Sequence, residues 1–193
     1  MIPKIQAGVD ESGRGSLAGS VVAAAVILDI HSPIKGIMDS KKLSAFKREY
    51  LFNKICEKSL AFGIGEASAK EIDALNILQA TFLAMKRALE RLTILPTEIL
   101  IDGNQAPLNL PYKTIRTIIK GDSKIESISA ASILAKVTRD RQLMLLDGQY
   151  PDYGFAKNKG YPTRLHLQAL KMNGIISEHR LSYKPVKKIL KLS

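Results

Sequence analysis

Apolar positions along the chain follow two rhythms. Ile5 to Val9 is a short apolar run, and Val21 to Leu28 is a β-branched and alanine run without alternation, as expected of a strand buried on both faces. A third strand is expected at Leu60 to Ala67. Between these, Ser44 to Lys58 spaces Phe46, Tyr50, Leu51 and Ile55 as a helix does, with Cys56 on the same packed face. Ser68, followed three residues later by Glu71, is a capping-box signature. From there Ile72, Leu75, Leu78, Phe82, Met85, Leu89 and Leu92 step by three or four, predicting one long amphipathic helix that Pro96 closes. Glu98 to Ile101 predicts a short strand delivering Asp102 and Gly103, and Tyr112 to Lys120 a further strand running into Gly121 and Asp122. The last long segment, from Ser127 to Asp147, is a helix whose early turns are nearly all serine and alanine, so a backbone can pack closely against it.

Strands followed by a helix–strand–strand–helix sequence imply an α/β fold: a mixed sheet with helices on both faces, where ligands gather at strand ends. No linker or repeat divides the 193 residues, so a single domain is expected. Composition shifts near Tyr150. Residues 151–193 carry nine Lys or Arg against Asp152 and Glu178, most of the chain's net charge of +11. The expected organisation is therefore a core over residues 1–150 with a basic, substrate-binding C-terminal region, 151–193, packed on it in the same domain. Such a charge favours a polyanionic partner, nucleic acid above all. A single cysteine provides neither a disulfide nor a cysteine zinc site, and no signal or membrane segment is evident, so a reducing cytoplasm is expected.

The candidate chemistry is acidic. Asp10, Asp102 and Asp122 each follow an apolar strand and precede a glycine or a glycine-bounded turn, so each can project from the carboxyl edge of a sheet. Glu11 joins them if the first strand ends at Asp10, because neighbours within a strand point to opposite faces. Carboxylates without His or Cys suit Mg²⁺ or Mn²⁺, and two such ions can activate water and stabilise the leaving oxygen of a phosphodiester. Each Asp alone is more often a turn former or helix cap, and Asp122 before a helix reads as an N-cap. Asp39, Asp73, Asp140 and Asp147 are read as caps or helix-face partners, Lys136 with Asp140 for example.

Gly13-x-Gly15-x-x-Ala18 meets a loose dinucleotide pattern, but a strand-like run follows it and two carboxylates precede it, against a pyrophosphate site. No G-x-S-x-G occurs, and His31, His166 and His179 lie in no nucleophile motif. They read as loop, helix surface and a basic-tail surface position.

Several long motifs occur in one order: GVDESGRGSLAGSVVAAAVIL, DSKKLS, EIDALNILQATFLAMKRAL, IDGN, KGDSKIESISAASILAKVTRD and YPDYGFAKNKGYPT. Together they resemble bacterial ribonuclease HII, the type 2 ribonuclease H, nearly end to end. The resemblance implies an RNase H-like mixed five-stranded sheet flanked by helices, antiparallel over three strands and parallel thereafter, with a helical C-terminal region against nucleic acid. It assigns Asp10, Glu11, Asp102 and Asp122 to the family's four metal-binding, catalytic carboxylates, with Mg²⁺ or Mn²⁺ at a two-ion site. It assigns Gly13, Arg14 and Gly15 to the loop that reads the 2′-hydroxyl, and Tyr161 to the tyrosine that packs on the following deoxyribose. Lys41 matches a lysine near the substrate phosphate, while Lys42, Lys157, Lys159, Arg164, Arg180, Lys184, Lys187 and Lys188 are further backbone contacts. Ser12 and Ser20 depart from the usual Ala and Pro.

The activity so implied cuts RNA in RNA–DNA hybrids and on the 5′ side of single ribonucleotides in duplex DNA, leaving 3′-hydroxyl and 5′-phosphate ends. The expected partners are those nucleic acids, with no membrane, no evident clamp-binding tail and a monomeric chain. The competing readings are a binding module of the same fold without chemistry and a resolvase-like nuclease.

Overall fold

The computed structural model describes residues 5–37 and 43–191, in which five strands and seven α-helices are found. Strands β1 (Gln6–Ser12), β2 (Val21–Ile27) and β3 (Ala61–Ala67) pair antiparallel, and β4 (Glu98–Asp102) and β5 (Ile115–Ile118) continue from β1 in parallel, giving the order β3-β2-β1-β4-β5. This is the mixed sheet that the motif resemblance implies. Every residue of β2 is buried, as its unbroken apolar run requires of the strand between β1 and β3.

Helices cover both faces. Val9, Val21, Ala23, Ile99 and Ile101 face α3 (Ile77–Glu90) through Ala80, Ala84, Met85 and Ala88. Val22, Ala24 and Val26 face α4 (Glu126–Gln149) through Ala130, Ile133, Leu134 and Val137, with Leu51 and Ile55 of α1 (Ala45–Lys58) closing that layer. The serine- and alanine-rich start of α4 does pack closely: a Cβ added at Gly8 would lie 2.1 Å from the Ser127 carbonyl carbon. Only glycine in β1 lets the helix approach the strand that carries Asp10.

Three expectations are corrected. The long helix is two: α2 (Ala69–Leu75), opened by the Ser68–Glu71 capping box, and α3, separated by Asn76 at φ 71°. Asn76 tolerates the left-handed region, and its Oδ1 accepts from the N–H groups of Leu78 and Gln79, so it both ends one helix and caps the next. Phe46 and Tyr50 are exposed, leaving Leu51 and Ile55 as the buried positions of α1. The last strand shrinks to Ile115–Ile118 at the sheet edge, where only β4 pairs with it.

Residues beyond Tyr150 form a 3₁₀ turn (Pro151–Tyr153), α5 (Phe155–Asn158), α6 (Arg164–Asn173) and α7 (Lys184–Leu190). Their cluster of Tyr153, Phe155, Leu170 and Val186 packs on Leu17, Ala18 and Leu143. The segment after β1 is thus covered by the C-terminal region. Asp73 of α2 ties that region down further, accepting from the N–H groups of Leu181 and Ser182 at 2.8 Å each. No helix among the described residues is long and apolar enough to cross a membrane.

Candidate active site

A cleft of about 450 Å³ opens at the carboxyl ends of β1 and β4. Asp10, Glu11, Gly13, Arg14, Gly15, Asp102 and Tyr161, distant in sequence, all line it. β1 runs on to Ser12 instead of ending at Asp10, so the two neighbouring carboxylates obey strand alternation. Asp10 turns to the α4 side, hydrogen-bonded with the Ser132 side chain; Glu11 turns to the α3 side, beside Thr81, Phe82 and Met85. Both still reach the cleft because β4 pairs with β1 only as far as Val9, leaving the end of β1 open beside Asp102.

Carboxylates crowd here. Burial, then Glu11, then Asp102 hold the Asp10 carboxyl well above the usual range. Burial also raises Glu11, against the opposing pull of Arg14, whose Nη1 lies 3.4 Å from Glu11 Oε1. Asp102 Oδ1 accepts from the Gly121 N–H at 2.6 Å, which joins the end of β4 to the 3₁₀ turn Gly121–Ser123. Asp122, in that turn, is buried but is not among the residues lining the cleft. No group of three or more His, Cys, Asp or Glu among the described residues has the spacing to hold a metal ion by itself. The donor chemistry nevertheless fits a hard cation: oxygen ligands only, mutually repelling, with burial raising both Asp10 and Glu11, an effect that nearby positive charge would oppose.

The loop after β1 is fixed from beneath by two buried guanidiniums. Arg139 of α4 donates to the carbonyls of Ser20, Ala18 and Lys159; Arg180 donates to those of Gly19 and Arg14, the latter also accepting from the Tyr183 hydroxyl. Gly13, at φ 98°, lies directly on Arg139: a Cβ there would stand 2.0 Å from its Nε. Tyr161 packs its ring on the same guanidinium, 5.7 Å from ring centroid to Cζ, and is about one-third exposed. A Cβ at Gly15 would meet the Tyr161 ring at 3.7 Å, so the glycine loop and the tyrosine are neighbours.

Lys41, and with it Lys42 and Asp39, lies outside the described residues. Arg48, Ser132 and Lys136 line the cleft without having been singled out as its members. Ser132 and Lys136 are four apart on α4 and Arg139 three further, a spacing that marks one helix face once the register against β1 is known. Lys136 also pairs with Asp140 at 2.7 Å, as its spacing predicts. Arg180, expected as a backbone contact for substrate, is instead fully buried. The histidines correct the sequence reading most: His166 and His179 are not surface residues but are buried against each other, Nε2 to Nε2 at 3.2 Å.

A mixed five-stranded sheet carrying carboxylates where β1 and β4 end side by side defines the class: an RNase H-like protein. Comparison with known proteins narrows this. The Ribonuclease HII family model matches residues 7–186, and the chain belongs to that family as a type 2 ribonuclease H. Ribonuclease HII of Acinetobacter baylyi is 59% identical over 186 residues, covering 96% of this chain and 98% of that one. The ribonuclease H2 of Pyrococcus horikoshii superposes with a TM-score of 0.80 at 31% identity, over 97% of both chains. The RNase HII in the PCNA complex from Archaeoglobus fulgidus superposes at 0.77 with 26% identity, over 93% of this chain and 95% of that one.

Proposed function

We propose that the chain is a divalent-metal-dependent endoribonuclease that cuts RNA paired with DNA and incises 5′ of a single ribonucleotide embedded in duplex DNA, leaving 3′-hydroxyl and 5′-phosphate ends. The observation that carries this reading is the meeting, in one cleft, of Asp10, Glu11 and Asp102 with the Gly13–Gly15 loop and Tyr161. Asp10, Glu11, Asp102 and Asp122 would hold Mg²⁺ or Mn²⁺, Asp122 from its turn beside Asp102. When bound, such ions supply an activated water and neutralise charge on the departing 3′ oxygen.

The chain's own residues position the substrate. Glycines at 13 and 15 let backbone N–H and C=O groups approach a sugar, and a 2′-hydroxyl, both donor and acceptor, separates RNA from DNA there. Tyr161, held on Arg139 beside Gly15, offers a ring face to the next sugar, where a 2′-hydroxyl would clash. Arg14, half exposed, balances Glu11 and faces incoming phosphate. The basic region 151–193, with Lys157, Lys159, Arg164, Lys184, Lys187 and Lys188, serves as the sequence-independent contact to the duplex backbone, and Lys41 as a phosphate contact. The substrate and the chain's composition fit a cytoplasmic monomer.

A labelled duplex with one ribonucleotide, compared with all-DNA and four-ribonucleotide versions in Mg²⁺ and in Mn²⁺, tests the reading. Incision 5′ of the lone ribonucleotide and none of all-DNA is expected; cleavage of all-DNA, or none at the lone ribonucleotide, overturns it.

A further inference from the structure

The histidine pair is not accounted for by the site above. His179 Nδ1 accepts from the Ile176 N–H at 3.0 Å, so its proton must sit on Nε2. That Nε2–H faces His166 Nε2, 3.2 Å away, which must then accept, leaving the His166 proton on Nδ1. His166 Nδ1 is 3.0 Å from the Tyr161 carbonyl oxygen, an acceptor. Every polar atom in the row is satisfied in one direction only, with both rings neutral: Ile176 to His179 to His166 to Tyr161. We propose that His166 and His179 are positioning residues, a one-way hydrogen-bond chain that fixes the backbone at Tyr161 and thereby aims its ring at the sugar beyond the ribonucleotide.

The surroundings support this role. Phe155 packs edge-on against His166, and Tyr153 and Phe155 against His179, so neither ring can turn away to water. The pair joins the segments that build the recognition surface: His179 bridges Ala18, Arg180 N–H donates to Leu17, and Leu17 N–H donates to Gly160, next to Tyr161. The Tyr161 carbonyl receives a second N–H, from Thr163 at 2.7 Å, so the His166 contact adds direction to an already anchored turn. The elements packed around the pair also carry Asp152, Lys157, Arg164, Lys171, Glu178 and Arg180, and Tyr153, whose hydroxyl bonds to the carbonyls of Asn173 and Gly174; only the partner imidazole adds a charge effect to the burial of either ring. Burial lowers both imidazoles, and the neighbouring ring adds to the lowering of His179, down to about 4. The chain therefore stays neutral and directional at physiological pH. A proton added at His166 Nε2 would set two donors facing each other across the shared contact, and one added at His179 Nδ1 would do the same against the Ile176 N–H.

This inference rests on the junction-reading role of Tyr161, and the test separates the two. Rates are measured on the one-ribonucleotide and four-ribonucleotide duplexes for the wild type, Tyr161→Ala, His166→Phe and His166→Asn, whose amide can still donate to the Tyr161 carbonyl. His166→Phe is expected to lower kcat/KM about tenfold on the single ribonucleotide and less than about threefold on the longer run, with His166→Asn restoring most of the difference. Equal losses on both duplexes, or no rescue, overturn the proposal. If Tyr161→Ala leaves the ratio unchanged, the junction reading itself falls; if it shifts the ratio and His166→Phe does not, the relay alone falls. Should His166→Phe fail to fold, ¹⁵N NMR of the wild-type imidazoles decides: His166 as the Nδ1–H tautomer and His179 as Nε2–H are required, and the opposite tautomers, or a charged ring at neutral pH, refute it.

Discussion

Gly13 concentrates several constraints in one residue. Its positive φ disfavours any side chain, and the buried Arg139 guanidinium occupies the space a Cβ would need. Gly13→Ala should therefore cost about 2 kcal/mol of stability from backbone strain and displacement, and should lower cleavage more than a surface substitution does. Thermal unfolding and single-ribonucleotide incision measured together check this; an alanine variant with wild-type melting and rate contradicts it. Asp10 and Asp102 are legible one by one, since each ends an apolar run, whereas Glu11 is expected beside them only if β1 ends at Asp10, which it does not. What the sequence did not carry was why Glu11 reaches the cleft although β1 continues: that depends on β4 leaving β1 at Val9, a property of register. The buried roles of Arg139 and Arg180 are equally hidden, because their partners are mainly carbonyls, which every residue possesses.

At the level of elements, local signals worked where the chain makes its own contacts. Ser68 and Glu71 form the capping box their spacing predicts, and Arg87 of α3 adds two bonds to the Glu71 carboxylate. These contacts pull Glu71 down to about 2, the Arg87 bond first and the Ser68 backbone N–H next. A carboxyl lowered from its ordinary 4.5 contributes stability that is present above that value and fades as pH falls towards 2. Its partial exposure makes the contribution small; Glu71→Gln should flatten the acid limb of stability against pH, and an unaltered limb contradicts the assignment. The break at Asn76 escaped the periodicity because the apolar spacing continues across it: the interruption is in the backbone, not in the pattern. Asn76→Ala loses the cap and places alanine in the left-handed region, about 2 kcal/mol together, whereas Asn76→Gly should cost clearly less. Urea unfolding of the pair tests this, and equal losses would contradict it.

Across the whole molecule, the C-terminal region does what its charge alone does not announce: it packs a hydrophobic and histidine-centred cluster on the segment after β1. His166 and His179 gave no sequence signal because their meaning lies in meeting each other, thirteen residues apart across a turn. A histidine held down at about 4 when folded, against 6.5 when unfolded, contributes stability that is whole above 6.5 and is lost as pH falls towards 4. Lowering pH from 7 to 5 should therefore remove about 2 kcal/mol through His179, and His179→Gln should remove less. Urea titrations at the two pH values measure it, and identical pH dependence in both proteins would be contrary.

The proposed function rests on one arrangement, in which acidic side chains at the carboxyl ends of β1 and β4 would do the chemistry and the surrounding basic and glycine-rich surface would do the binding. The direct test is Asp10→Asn, an isosteric change at the most buried of the cleft-lining carboxylates, assayed for cleavage and for hybrid affinity with Mg²⁺ or Mn²⁺ present. Cleavage should fall by at least about a thousandfold while affinity stays within about threefold. Turnover near the wild-type rate in that variant would contradict the account.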